Sequence, residues 1–143
     1  ILIMTTLLLG CQSKTKTTVC TITLYEPVEV KREIFLYHKD NVITKIESNE
    51  TFKLSEDFSK EMFLDLEARM LERHIDSKNL SFSSEVEGSM AKMKVTLNNL
   101  DNATTIELLL IGLNKDDEEN VPGIKETIRF NEKEGYTCKL LTD

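Results

Sequence analysis

The sequence has little glycine and proline, 5 and 2 residues respectively in a chain of 143. Collagen repeats and low-complexity disordered segments are rich in these residues, so the composition excludes both classes. Apolar runs of the roughly 20 residues that a membrane-spanning helix requires are also lacking, which excludes a polytopic membrane protein. With 40% apolar and 30% charged residues, the chain has the size and composition of one globular domain.

Basic residues are fewer than acidic residues. The chain has 18 Lys and Arg residues against 25 Asp and Glu, which gives a formal net charge of −7. An acidic surface repels phosphate, so we expect no nucleic-acid partner.

Recognisable catalytic and cofactor motifs are absent. The chain contains no Gly-x-Ser-x-Gly, phosphate loop, dinucleotide fingerprint or Cys-x-x-Cys. Its two histidines, His38 and His74, stand alone rather than at a metal-ligating spacing, and we expect structural roles for both. The sequence therefore predicts no enzyme activity, no cofactor and no metal. A triad assembled from distant residues would leave no motif, so a hydrolase stays open as an alternative.

The N-terminal residues 1–10 are apolar and uncharged, and Cys11 follows at once. Leu8-Leu9-Gly10-Cys11 resembles the lipobox of bacterial lipoproteins. The resemblance implies that residues 1–10 are a signal peptide, that a peptidase cuts before Cys11, and that its thiol carries diacylglycerol. The chain begins with Ile1 and has no basic segment ahead of the apolar run, so we expect the true start upstream. The alternative is a buried N-terminal strand with an incidental cysteine.

Residues 11–17 are polar and predict a tether between the lipid and one domain over residues 18–143. The predicted partner is thus the membrane, held through lipid on Cys11. The predicted location is the extracellular face of the cell membrane, with the chain a monomer.

Two other cysteines, Cys20 and Cys138, lie in the first and last folded segments. Export places them in an oxidising compartment, where disulfides persist, and we predict that they pair. The bridge would close nearly the whole domain. Two buried free thiols are the alternative, while two cysteines without a nearby ligand leave a metal site incomplete.

Alternating apolar residues predict strands over residues 19–24, 30–37 and 41–54, which form a meander, and a hairpin over residues 80–87 and 90–98 with Gly88-Ser89 at its turn. Pro122 and Gly135 bound a predicted helix over residues 122–134, and a final strand spans residues 136–141. Residues 100–113 fit a buried strand or a buried helix, and we favour a short helix.

Ser55 is a predicted N-cap for a long amphipathic helix that ends near residues 76–77. Its predicted apolar stripe recurs every four residues, at Phe58, Met62, Leu66 and Met70, and Phe63 and Leu71 widen it. The fold class that follows is α+β: one domain with an antiparallel sheet packed against this long helix and one or two shorter helices.

Two further patterns bear on binding. Asp116-Asp117-Glu118-Glu119 is expected to be a solvated loop, because it lacks the ligand spacing and turn glycine of a calcium loop. Core packing is expected for Met62, Met70, Met90 and Met93, although methionines can also line a pliable groove. A ligand would be sought between the long helix, from Phe58 to Met70, and the sheet.

Three segments of the domain carry a resemblance to known proteins: Thr18-Val19-Cys20, Ile124-Lys125-Glu126-Thr127-Ile128 and Glu134-Gly135-Tyr136-Thr137-Cys138-Lys139. With them the chain resembles, over about residues 18–141, the YehR-like family of small bacterial lipoproteins, also called the domain of unknown function 1307 family. The resemblance implies an antiparallel sheet packed on helices and no established activity, so no catalytic residue is carried over. The cysteine pair suggests the Gram-positive branch.

These observations predict a membrane-anchored, non-catalytic surface lipoprotein that binds an unidentified ligand or envelope partner. A small cell-envelope hydrolase and an assembly factor of an envelope complex are the alternatives.

Overall fold

The computed structural model describes residues 14–74, 76–98, 100, 103 and 123–141. Within these residues, six strands and two helices follow one another: β1 Lys16–Leu24, β2 Val30–Lys39, β3 Val42–Lys53, α1 Lys60–His74, β4 Leu80–Glu87, β5 Met90–Leu97, α2 Ile124–Lys133 and β6 Thr137–Leu141. The predicted 19–24, 30–37 and 41–54 strands, the 80–98 hairpin and the final strand are confirmed, each within a few residues of its predicted ends.

The strands form one sheet in the order β4-β5-β3-β2-β1-β6, and all neighbours are antiparallel. β1, β2 and β3 form the predicted meander. The β4–β5 hairpin pairs with β3, and Gly88 at its turn has φ 58°, a conformation that glycine adopts without steric cost. The C-terminal β6 pairs with β1 at the other edge, so the first and last strands are neighbours.

Alternation along the strands gives the sheet two unlike faces. Side chains on the inner face are buried and belong to one core: Cys20, Ile34, Leu36, Ile46, Phe52, Ala91, Met93, Val95 and Leu97. On the outer face no strand residue is fully buried, and alternate positions there carry lysine, glutamate, serine and threonine. Both helices contribute to the inner-face core, through Phe63 of α1 and Ile124 of α2.

The predicted sheet packed against one long helix is wrong. α1 has 15 residues and contacts β4 and β5, whereas α2 has 10 residues and contacts β6. The fold is a six-stranded antiparallel sheet with two short helices, and most of its regular structure is β. It is α+β only in the loose sense that both kinds of element are present.

The helix is shorter than predicted because Ser55 does not cap it. Ser55 instead closes a separate turn, in which its Oγ accepts a hydrogen bond from the Phe58 N–H at 3.2 Å. Ser59 provides the cap, since its Oγ accepts from the Met62 N–H at 3.3 Å and its carbonyl accepts from the Phe63 N–H. α1 therefore begins at Lys60.

The predicted apolar stripe of α1 is buried only in part. Phe63 is fully buried and its ring centroid lies 5.5 Å from that of Phe52, whereas Met62 is 49% exposed. An interval of four residues drifts by about 40° per step on a helix of 3.6 residues per turn, so a strict four-residue stripe cannot keep one side to the core. Leu66 and Met70 remain half-buried.

The predicted disulfide between Cys20 and Cys138 is confirmed. The two residues are directly opposite each other on β1 and β6, and the Cα atoms are 4.0 Å apart. The bond spans 118 residues of sequence and fixes the edge strand β6 to its neighbour β1.

The closing helix α2 begins two residues later than predicted, against the turn between β2 and β3. The Ile124 N–H donates to the Asn41 carbonyl at 3.0 Å, and a Cβ at Gly123 would clash with the Asn41 side chain. Gly135 ends the α2 segment as predicted, with φ 96°. Glycine is thus required at both ends of this segment, once for close approach and once for backbone conformation.

Several predictions lie outside the described residues. These are the signal peptide and Cys11, the helix or strand over residues 100–113 apart from residues 100 and 103, and the acidic run Asp116–Glu119. β1 begins at Lys16, within the last part of the predicted tether. Neither of the described helices has the length and apolar character needed to cross a membrane.

Candidate functional site

A cleft of about 440 Å³ lies on the outer face of the sheet, across β2, β3, β5 and β4. We call it the outer cleft. Its side chains come from two adjacent rows of the register, Glu33, Asn49, Lys94 and Ser83 in one and Thr51, Lys92 and Glu85 in the other. Its volume is within the range of small-molecule sites. All seven side chains are polar, whereas Phe35 and Tyr37 lie further along β2 on the same face.

The charges of the outer cleft are already paired. Lys92 Nζ lies 3.6 Å from Glu85 Oε1 on the neighbouring strand, and Lys94 Nζ lies 3.0 Å from Glu47 Oε1. Both lysine side chains are about half exposed, at 53% and 50%. The Glu85 side chain is also exposed, at 65%, and an exposed pair such as Lys92 with Glu85 contributes about 0–1 kcal/mol, so a ligand can displace it at small cost. Glu47 is only 12% exposed, so its pair with Lys94 is better shielded from water.

Asn49, in the middle of the outer cleft, has an unsatisfied acceptor. Its side-chain Oδ1 is buried, and no donor among the described residues reaches it. Leaving a buried acceptor unpaired costs about 1–3 kcal/mol. An N–H or O–H group of a bound molecule would remove that cost.

A second polar group lies on the inner face. Arg32 donates from Nε to Glu50 Oε1 at 2.9 Å and from a terminal nitrogen to the Tyr136 hydroxyl at 3.3 Å. Burial lowers the pKa of Arg32, but the Glu50 carboxylate and the Tyr136 hydroxyl together outweigh burial and raise it above its ordinary value. Arg32 is therefore a permanent cation, and the cluster joins β2, β3 and the start of β6 rather than presenting a reactive group.

The inner-face row continues to α1. Ser84 on β4 donates to a carboxylate oxygen of Glu67 at 2.5 Å. Together with the stacking of His74 on Phe82, whose ring centroids are 6.1 Å apart, this bond ties the helix to the edge strand. His74 thus has a packing contact at the end of α1.

His38 is buried at the other end of the sheet. Its Nε2 lies 3.0 Å from Thr18 Oγ1 and its Nδ1 lies 3.3 Å from the Asp40 carbonyl oxygen. These contacts link β1 to the turn after β2. Within the described part of the chain, no group of three or more His, Cys, Asp or Glu residues is placed to hold a metal ion.

The predicted binding place between α1 and the sheet is filled. The Phe52 ring centroid lies 5.7 Å from that of Phe58 and 5.5 Å from that of Phe63. The methionines do not converge either, since Met93 is buried on the inner face while Met62 and Met90 are 49% and 39% exposed. Met70 is half-buried on α1.

Sequence reasoning missed both polar features, for different reasons. Arg32 alternates with Val30 and Ile34 on the buried side of β2, and a charge at such a position signals a partner on the next strand. Asn49 leaves no comparable signal, because a single asparagine among polar residues is ordinary. Only the register places it between Glu33 and Lys94.

No protein-family model and no curated protein matches the chain. Among solved structures, the chain is similar to the NMR structure of the Escherichia coli YehR protein, with a TM-score of 0.62 and 13% sequence identity. The similarity covers 94% of this chain and 96% of the YehR chain. The resemblance to YehR is therefore confirmed for the fold, whereas membership of the lipoprotein family stays a prediction.

Proposed function

We propose that this chain is a lipid-anchored protein of the bacterial cell surface, in a Gram-positive cell, that binds a small polar ligand in the outer cleft without transforming it. The observation that carries the binding proposal is the buried, unpaired Oδ1 of Asn49 within a cleft of ligand size. Buried polar groups are nearly always hydrogen-bonded, so an exception at the centre of a cleft points to a missing donor.

The anchoring proposal rests on the sequence around Cys11. The lipobox-like Leu8-Leu9-Gly10-Cys11 ends five residues before β1 begins at Lys16. That short polar interval suits a tether between a lipid-modified cysteine and the first strand. The Cys20–Cys138 disulfide is consistent with an exported domain, because such bonds persist in oxidising compartments.

The chemistry of the outer cleft favours a ligand with little net charge. Lys92 and Lys94 face carboxylates, so neither sign of charge is in clear excess there. Asn49 requires a donor, and Thr51 and Ser83 add hydroxyl groups that donate or accept. Compounds with several hydroxyl or amide groups, such as acetylated amino sugars and short peptides, match this lining.

Binding is tested by calorimetry on a panel of such compounds, with Asn49→Ala and Asn98→Ala as matched variants. Asn98 is exposed near the end of the hairpin, away from the cleft. We expect a compound whose affinity falls about tenfold in Asn49→Ala, the loss of one hydrogen bond to a buried group, and is unchanged in Asn98→Ala. Equal affinities for the chain and Asn49→Ala, or no binding across the panel, would overturn the binding proposal.

Anchoring is tested by the intact mass of protein extracted from membranes after expression with its upstream start. We expect a chain that begins at Cys11 and carries diacylglycerol, and a Cys11→Ser variant that keeps residues 1–10. An unmodified chain that retains residues 1–10 would show the anchoring proposal to be wrong. Turnover of a bound compound would instead favour the envelope hydrolase, and one stoichiometric protein partner would favour the assembly role.

A further inference from the structure

The two ends of the sheet differ in charge. The end at which β1 begins, here the proximal end, comprises residues 14–16, 39–45, 76–79 and 123–125. The register places them together, since Lys16 is opposite His38, Lys39 is opposite Val42, and the Lys125 N–H donates to Asn41 Oδ1 at 3.2 Å. The proximal end carries six lysines and two aspartates: Lys14, Lys16, Lys39, Lys45, Lys78 and Lys125, with Asp40 and Asp76.

The opposite, distal end has the reverse composition. It comprises the connections over residues 25–29, 54–59, 88–89 and 134–136 and, to the same depth in the strands and helix as at the proximal end, residues 24, 30, 50–53 and 132–133. These residues include seven carboxylates and two lysines: Glu26, Glu29, Glu50, Glu56, Asp57, Glu132 and Glu134, with Lys53 and Lys133. The comparison concerns the described residues and leaves out residues 1–13, 75, 99, 101–102, 104–122 and 142–143. Among the described residues, positive charge is thus in excess at the proximal end of the sheet.

We propose that the proximal end binds the anionic lipid headgroups of the membrane and holds the domain upright on it. The proposal rests on the proposed anchoring through Cys11. Five peptide steps of about 3.3–3.6 Å separate Cys11 from Lys16, so the start of β1 lies within about 18 Å of the lipid-modified residue even when the tether is fully stretched. A tether contracted to less than half of this length brings the lysines into the roughly 8 Å over which surface charges act at physiological salt.

The side chains at the proximal end suit a headgroup surface. Five of the six lysines are exposed, and the Lys45 ammonium lies 5.2 Å from the ring centroid of Tyr37. Val42, at the tip of the β2–β3 turn, is 65% exposed. Lysines near an anionic leaflet attract it additively, and an exposed apolar group beside them enters the interface. The distal carboxylates are repelled, which leaves the outer cleft at the side of an upright domain.

The orientation is measured on the lipidated chain in vesicles of phosphatidylcholine with or without phosphatidylglycerol, the lipids carrying a headgroup quencher. A fluorophore is placed on Val42→Cys at the proximal end or on Ser89→Cys at the distal end. Cys20 and Cys138 are bonded to each other and do not react. In anionic vesicles we expect strong quenching at residue 42 and weak quenching at residue 89. The difference should shrink in phosphatidylcholine alone and at high salt.

Two triple variants with the same change of net charge separate the surface from general electrostatics. Lys14→Gln, Lys39→Gln and Lys45→Gln remove proximal charges, and Lys31→Gln, Lys53→Gln and Lys133→Gln remove charges elsewhere. The proximal triple should lose most of the difference in quenching, and the control triple should keep it. Equal quenching of the two labels, or equal losses in both triples, would overturn the proposal.

Whether the chain carries the lipid anchor is determined independently of the vesicle experiment. The intact mass, taken before reconstitution, shows whether diacylglycerol is present. If it is absent, binding of the two triple variants to preformed vesicles still tests the surface, because residues 1–13 are the same in both. The proximal triple should then bind phosphatidylglycerol vesicles about tenfold or more weakly than the control triple, from the loss of three lysine contacts. Equal binding would reject the surface as well.

Discussion

Arg32 and Glu50 are directly opposite each other on β2 and β3, and Arg32 Nε donates to Glu50 Oε1 at 2.9 Å. Their side chains are 32% and 21% exposed, so the pair is partly shielded from water on the inner face. Tyr136 extends the pair to the start of β6. An inner-face charge is tolerated here because every member of the cluster has a partner.

Replacing Arg32 with Met should lower the free energy of unfolding by about 1–3 kcal/mol, since Glu50 would lose its cation on a shielded face. Denaturant unfolding measures the change. A double variant, Arg32→Met with Glu50→Leu, should lose less than the sum of the two single losses. Additive losses would mean that the two side chains do not interact.

The Arg32 contribution should not vary with pH near neutrality. A folded-state pKa raised above its ordinary, strongly basic value gives stability that is fully present below the unfolded-state pKa and is lost only as pH rises through the folded-state pKa. The difference in unfolding free energy between the chain and Arg32→Met should therefore be constant from about pH 6 to pH 9. A difference that changes steadily across this range would contradict the assignment.

Truncation of two neighbouring side chains on α1 should change the free energy of unfolding by very different amounts. Phe63→Ala removes a fully buried ring that packs on Phe52, and should cost about 3–5 kcal/mol. Met62→Ala removes a side chain that is 49% exposed, and should change stability by less than about 0.5 kcal/mol. Similar losses of stability at the two positions would mean that Met62 packs in the core, as the four-residue stripe predicts.

Loss of the disulfide should destabilise the domain by up to about 4–5 kcal/mol, because the bond closes a loop of 118 residues in the unfolded chain. Thermal unfolding of a Cys20→Ser, Cys138→Ser variant measures the loss. Reduction of the unchanged protein should also add the mass of two hydrogen atoms. A mass that does not change on reduction would mean free thiols.

Asn49→Ala should leave the stability of the unliganded protein unchanged or raise it by about 1 kcal/mol, because it removes an unpaired buried acceptor. Urea unfolding without ligand provides the measurement, with Asn98→Ala as the exposed control. A clear loss of stability in Asn49→Ala would show that the amide has a structural partner.

The strands could be predicted from the sequence, whereas the start and the buried side of α1 could not. In β5, Met93, Val95 and Leu97 alternate with Lys92, Lys94 and Thr96, and a period of two leaves no choice of face. In α1 the apolar residues are too numerous to define one side, and Phe58 belongs to the preceding turn. The pairing of Cys20 with Cys138 followed from cysteine arithmetic, since Cys11 had another proposed use.

The outer cleft depended on information that a single sequence does not contain. Glu33, Asn49 and Lys94 are far apart in the chain, and only the antiparallel registers of β2, β3 and β5 bring them side by side. The binding place expected between α1 and the sheet is filled because three phenylalanine rings meet there.

The bond between Cys20 and Cys138 also determines how the domain bears mechanical tension. If the chain is pulled through its N-terminal residues, β1 can peel away only as far as Cys20 before the load divides between Thr21 and the disulfide. Beyond that point the disulfide transmits the force to β6, so β1 cannot be extracted further unless β6 is pulled out with it. A domain tethered by its first strand would thus withstand drag on a bound partner through two linked strands instead of one.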